Sequence, residues 1–223
     1  MKKYLLSLAA AVALFSLFGC NHRSEAPENL VQLKPMQQSY RGVIPCADCE
    51  GIEISLFLDK DGSWVRTQRY LGGKGVGSYS DYGTWERTAE KLMLKDSKGK
   101  KTWFQPHDDA LEMLDMNANP VDSPFNYTLK AVEAPLPTVP MAMKGMYRYI
   151  ADTATFKDCA TGRTFLMDSN AQLERGFAGS PEPVLVELKA HFIYDENPDT
   201  GAQFKALKAD GDGRFRPGQN CDN

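Results

Sequence analysis

The sequence has only three histidines, and after residue 20 it has no apolar run long enough to span a bilayer. Its three histidines, His22, His107 and His191, lack the spacing of metal ligands, and no serine or aspartate motif of a hydrolase surrounds them. The formal net charge is −3, without the clustered lysine and arginine that bind nucleic-acid phosphates or a broad membrane face. We therefore expect no catalytic residues and no nucleic-acid partner.

The first twenty residues have the pattern of a bacterial secretion signal. Lys2 and Lys3 give a basic start, residues 5–18 carry no charge, and the stretch ends in Leu-Phe-Gly-Cys20. This ending resembles the lipobox of bacterial lipoproteins, which implies cleavage after residue 19, a diacylglyceryl thioether on Cys20 and acylation, for example by palmitate, of its new amino group. Two or more acyl chains anchor a protein stably. Asn21, in place of the aspartate that marks inner-membrane retention, implies a lipid anchor in the outer membrane.

The four cysteines that remain after Cys20 predict disulfides, because an exported chain meets an oxidising compartment. Four cysteines allow three pairings, and we favour Cys46–Cys49 and Cys159–Cys221, since each pair then lies within one predicted domain. The Cys46-x-x-Cys49 segment has alternative interpretations. Two thiolates suit Cu(I) or Zn(II), so copper or zinc could bind there, although no cofactor is required. Thiol-disulfide catalysis fits less well, because the βαβ context is missing.

Alternating apolar and polar residues predict that the chain is mostly β. Residues 20–38 are polar and predict a lipidated N-terminus with a flexible tether. Residues 39–131 contain about eight short alternating segments, joined mostly by tight turns. Consecutive hairpins favour a closed up-and-down barrel, because closure removes exposed strand edges. An open sheet or a sandwich is the alternative.

A second, smaller domain is predicted over residues 143–223. Residues 132–142 are rich in proline and predict a linker. Beyond it we predict five short strands, one helix over residues 171–177 and an irregular tail over residues 214–221. This pattern fits a small barrel of the OB type, and such a fold does not by itself imply oligonucleotide binding.

Several motifs together resemble the NlpE family of outer-membrane lipoproteins, also called CutF. The resemblance rests on Arg-Gly-Val-Ile-Pro-Cys-Ala-Asp-Cys-Glu-Gly-Ile-Glu and further stretches, at residues 41–53, 82–85, 111–115, 125–129 and 155–162. It implies a lipocalin-like barrel followed by an OB-like domain. It also implies a sensor of envelope stress and surface adhesion that activates the Cpx two-component pathway through the sensor kinase CpxA, with a role in copper homeostasis.

Two classes of function therefore compete. One is a signalling lipoprotein that works by contacting a partner protein. The other is a lipoprotein that binds and sequesters copper or a small lipophilic ligand, since an eight-stranded barrel can hold one small ligand. The sequence does not predict an oligomeric state.

Overall fold

The computed structural model describes residues 36–72, 77–168, 170–177 and 180–222. The predicted signal peptide over residues 1–19, Cys20 and the tether up to residue 35 lie outside these residues. Within the described ranges, no helix combines the length and the apolar character needed to cross a membrane.

The first part of the chain is a closed barrel of eight strands in sequential order. The strands are β1 (Gln38–Ile44), β2 (Gly51–Leu58), β3 (Ser63–Leu71), β4 (Ser78–Arg87), β5 (Leu92–Asp96), β6 (Lys101–Pro106), β7 (Ala110–Met113) and β8 (Thr128–Val132). Every neighbouring pair is antiparallel, and β8 closes the barrel on β1 with Tyr40 opposite Ala131. The predicted up-and-down barrel is confirmed.

Side-chain alternation explains how the barrel interior is filled. Along β2, Ile54, Leu56 and Leu58 are almost fully buried and pack in one cluster. The cluster also contains Tyr40, Trp64, Leu92, Leu94, Phe104, Leu111 and Leu129. Opposite Trp64 lies Gly83, where a Cβ atom would come within 1.9 Å of the Lys95 carbonyl oxygen. The large indole therefore packs where the adjacent strand carries no side chain.

The second part of the chain forms a smaller barrel with the strand order of an OB fold. Its elements are β9 (Met141–Ile150), β10 (Thr153–Asp158), β11 (Thr164–Met167), α1 (Ala171–Phe177), β12 (Val184–Glu196), β13 (Gln203–Ala209) and β14 (Arg214–Arg216). Strands β13, β11, β10, β9 and β12 follow one another, and pairing of β12 with β13 closes them into a ring. The β11–β13 pair is parallel, and β14 adds to β12.

The helix lies where the sequence predicts it, between β11 and β12. The side-chain oxygen of Asn170 accepts hydrogen bonds from the backbone N–H groups of Gln172 and Leu173 at 3.1 and 3.0 Å, which caps the first turn. Leu173 and Phe177 bury one face of α1 against the core of the second barrel.

Several boundaries differ from the sequence prediction. Gln38, predicted to be tether, belongs to β1, and Val132, predicted to be linker, belongs to β8. Met141 and Ala142, predicted to be linker, belong to β9, because Pro140 blocks only the position before the strand. The tail predicted to be irregular contains β14, whose Phe215 lies 5.9 Å from Tyr147 between ring centroids. The segment between β8 and β9 thus covers residues 133–140.

Candidate functional site

A row of apolar side chains on the outer face of the first barrel begins the contact with the second barrel. Phe57, Val65 and Tyr82 face one another across β2, β3 and β4, on the opposite face of these strands from the barrel core. All three are buried, with at most 3% of their surface exposed. Val65 and Tyr82 belong to the hydrophobic core of the second barrel, where the Tyr82 and Phe192 rings pack in a T-shaped arrangement with their centroids 6.0 Å apart. The two barrels therefore share one hydrophobic cluster.

A buried ion pair lies beside this apolar row. Asp59 follows β2 directly, and its carboxylate receives hydrogen bonds from the Lys205 ammonium and the Tyr194 hydroxyl, both at 2.7 Å. The side chains of Asp59 and Lys205 are only 2% and 8% exposed. Loss of one member of a buried pair leaves the other charge uncompensated, which costs about 3–5 kcal/mol. Burial and the Asp59 carboxylate raise the pKa of Tyr194, so this hydroxyl stays protonated and donates.

Asp61 extends the polar contact by one residue. Its carboxylate lies 3.4 Å from Arg163 and 3.5 Å from Lys205, and its backbone carbonyl accepts a hydrogen bond from Arg163 at 2.6 Å. Burial raises the pKa of Asp61, but hydrogen bonds from Ser63 and the charges of Lys205 and Arg163 outweigh it and leave this pKa below its ordinary value. The charged form of Asp61 is therefore favoured in the folded chain. It contributes stability above its unfolded-state pKa, and this contribution is lost as the pH falls through the folded-state value.

A second buried carboxylate, Asp158, links the barrels near a disulfide. The Tyr82 hydroxyl donates to Asp158 at 2.7 Å, and Thr161 donates its backbone N–H and its hydroxyl at 2.9 and 2.6 Å. Asp158 has no exposed surface. Burial and the neighbouring charge of Asp158 raise the pKa of Tyr82, which keeps the donor protonated. A buried carboxylate thus gains three hydrogen bonds, one of them from the other barrel.

The structure joins Cys159, next to this carboxylate, to Cys221 through a disulfide with a Cα–Cα distance of 5.2 Å. The backbone N–H of Cys159 donates to the Lys144 carbonyl on β9 at 2.9 Å. A cleft of about 570 Å³ opens beside the disulfide, and residues of both barrels, including Tyr82 and Met143, line it. The bridge ties the turn after β10 to the chain beyond β14, at the boundary between the barrels.

The second disulfide, Cys46–Cys49, is local. Its Cα atoms are 5.3 Å apart in the loop between β1 and β2. This loop lies at the barrel end away from Asp59, because β1 pairs with β2 from Gln38–Leu58 at one end to Ile44–Ile52 at the other. Within the described ranges, no group of three or more His, Cys, Asp or Glu residues is arranged to hold a metal.

Sequence reasoning singled out the four cysteines but missed the contact between the barrels. The sequence does contain an indication of this contact. The apolar pairs Leu56-Phe57 on β2 and Trp64-Val65 on β3 break the alternation that is expected of strands with one face in solvent. No local pattern connects Asp59 with Lys205, because 146 positions separate them. Met141 and Met143 are buried in the core of the second barrel.

The chain is therefore a two-barrel β-protein. An up-and-down barrel and an OB-type barrel, each with one disulfide, are joined through a buried polar contact. The model for the NlpE N-terminal domain matches residues 40–124, and that for the NlpE C-terminal OB domain matches residues 137–222. Lipoprotein NlpE of Escherichia coli strain K12 is 52% identical over 230 residues, covering 99% of this chain and 98% of the relative. The chain belongs to the NlpE family.

Two further similarities cover less or superpose less well. A 17 kDa lipoprotein of Treponema pallidum is 29% identical over 117 residues, which is 50% of this chain and 73% of the relative. The crystal structure of the Cpx pathway activator NlpE from Escherichia coli is 52% identical and covers 84% of this chain and 100% of its own, with a TM-score of 0.40.

Proposed function

We propose that this protein is an outer-membrane lipoprotein that senses envelope stress and surface adhesion and activates the Cpx two-component pathway through the sensor kinase CpxA. One observation carries the proposal: 52% identity over nearly the whole length of both chains to Lipoprotein NlpE. The corresponding protein of Escherichia coli is described as a Cpx pathway activator. The lipobox at Cys20 supplies the anchor that this role requires.

The site supports a role in contact with other proteins better than a role in chemistry. Its buried carboxylates, Asp59 and Asp158, are paired with a lysine and two tyrosines, and these contacts hold the two barrels together. A protein that signals through a partner needs a surface that is exposed to the partner in one state and covered in another. Two barrels that share one cluster and one buried ion pair provide such surfaces.

Reporter activation and membrane fractionation test the proposal together. Expression of the wild-type chain should raise output from a Cpx-dependent promoter, and deletion of CpxA should abolish the increase. Cys20→Ala should remove lipid labelling and outer-membrane fractionation, because acylation needs the thiol. Asn21→Asp keeps the thiol and serves as the matched variant: it should move the protein to the inner membrane and raise the output further. Lipid labelling of the Cys20→Ala chain, or output independent of CpxA, would refute the proposal.

A role in copper homeostasis is the remaining part of the proposal. The disulfide between Cys46 and Cys49 leaves no free thiolate in this pair, so Cu(I) or Zn(II) would bind there only after reduction. Equilibrium dialysis of the reduced and oxidised mature chain measures this directly, with Cys46→Ser/Cys49→Ser as the control. Sequestration of a small lipophilic ligand has less support, because buried side chains fill the barrel interior.

A further inference from the structure

The turn between β2 and β3 lies against the second barrel in the way a bound peptide would. We call residues 59–62 the acidic turn; their sequence is Asp-Lys-Asp-Gly. Both carboxylates of the turn and one backbone carbonyl, that of Asp61, contact side chains of the second barrel. Recognition of a backbone carbonyl together with two carboxylates selects a peptide segment over a free anion.

The receiving groups belong to the second barrel alone. We call Lys205, Tyr194 and Arg163 the basic cradle. Tyr194 on β12 and Lys205 on β13 are direct cross-strand partners, and the Lys205 ammonium lies 4.5 Å from the centre of the Phe192 ring. Arg163 immediately precedes β11, which pairs with β13. The second barrel's own strands therefore fix the backbone positions from which the cradle side chains extend.

The acidic turn is an imperfect ligand for the basic cradle. Oδ1 of Asp59 is buried and has no hydrogen-bond partner among the described residues. A buried carboxylate oxygen without a donor weakens the contact relative to one that is fully paired. The acidic turn stays in the cradle for two reasons. Residues 133–140 connect the barrels and give the turn a high effective concentration, and the shared hydrophobic cluster with the Tyr82–Asp158 hydrogen bond holds the barrels together.

From this arrangement we propose that the basic cradle is a recognition site for an acidic turn of a partner protein, and that the chain's own turn occupies it in the closed form. The partner segment carries two carboxylates separated by one residue in a tight turn. Its binding requires the first barrel to leave the cradle, so opening of the molecule and binding of the partner are coupled. The proposal does not depend on the signalling role and is tested on the purified mature chain.

The probe is a cyclised peptide with the sequence of residues 57–65, and its binding is measured by fluorescence anisotropy. The wild-type chain should bind it about a hundredfold more weakly than the Asp59→Asn/Asp61→Asn chain, in which the internal competitor has lost both charges. Adding Lys205→Met to that variant should reduce binding at least about tenfold. Lys208→Met is the matched control: it also removes a β13 lysine, but this side chain is 54% exposed and pairs with Asp168, so binding should be unchanged.

Three results would overturn the proposal. The first is a lack of binding to the Asp59→Asn/Asp61→Asn chain when circular dichroism shows that it is folded. The second is equal loss of binding with Lys205→Met and Lys208→Met, which would show attraction by net charge alone. If the double variant does not fold, hydrogen exchange of the wild-type chain replaces it: saturating peptide should increase exchange at residues 59–63, and no increase is the third result.

Discussion

Removal of the Cys159–Cys221 bridge should lower the stability of the whole chain. The two cysteines are 62 positions apart, and in the chain-entropy model a loop of this size stabilises the folded state by about 4 kcal/mol. The native tail has other contacts, because β14 pairs with β12 and Phe215 packs on Tyr147. We therefore expect the Cys159→Ser/Cys221→Ser chain to remain folded and the loss to act mainly through the unfolded state.

The shared cluster of the two barrels sets the expected change in melting temperature. If both barrels unfold together, a chain of this size loses about 2–4 °C per kcal/mol, so the midpoint should fall by about 8–16 °C in one transition. Differential scanning calorimetry measures both the shift and the number of transitions. Cys46→Ser/Cys49→Ser is the matched control, since that bridge closes a loop of sequence separation 3 and should change the midpoint much less.

The signalling consequence follows from the position of this bridge beside Asp158. A chain that opens more often when oxidative folding fails should raise Cpx output, so the Cys159→Ser/Cys221→Ser variant should be more active than wild type in the reporter strain. A midpoint shift below about 3 °C would contradict the entropy argument. Non-reducing peptide mapping that finds Cys159 paired with Cys46 or Cys49, or free, would remove its premise.

Two further predictions concern single positions. Gly83→Ala should cost about 3 kcal/mol in urea unfolding, because its Cβ would lie 1.9 Å from the Lys95 carbonyl oxygen. Gly99→Ala, at φ +83° with no described atom within 4 Å of the added Cβ, should cost only about 1 kcal/mol. Tyr147→Phe should raise the free energy of unfolding by about 1 kcal/mol, because the Tyr147 hydroxyl is buried without a hydrogen-bond partner among the described residues; an unchanged or lower value would contradict this. Burial raises the pKa of Tyr147 to about 12. The free energy of unfolding of the wild-type chain should therefore fall as the pH rises from about 10 to about 12, because the unfolded chain loses this proton first. Denaturation measured over this pH range should show a smaller fall for Tyr147→Phe.

The sequence predicts the strands well because their burial is mostly one-sided. Residues 52–56 alternate, and the tight turns at residues 59–62 and 96–99 connect neighbouring strands. Asn170 also fixes the start of α1 through its capping hydrogen bonds. β14 is missed because three residues, Arg-Phe-Arg, between two glycine-rich stretches give too short a pattern for a strand.

The contact between the barrels could not be predicted in the same way. Its polar half joins Asp59 to Lys205, and its apolar half joins Tyr82 to Phe192. Single positions on strands far apart in the chain carry no periodicity that connects them. The buried Val65 beside Trp64 signals a covered outer face, but the sequence does not identify what covers it.

The entry and exit of the first barrel lie side by side, and this has a mechanical consequence. β1 begins at Gln38, whose side chain donates to the Val132 carbonyl at 3.1 Å, and Ser39 donates to the Ala134 carbonyl at 2.9 Å. Only three residue pairs join β1 to β8, whereas seven join β1 to β2. Once the contact at Asp59 is released, tension between the N-terminal segment and the second barrel loads these pairs one after another instead of all together. The barrel would then open along the β1–β8 seam at a force well below that of a sheared sheet, which single-molecule pulling from the two chain ends would measure.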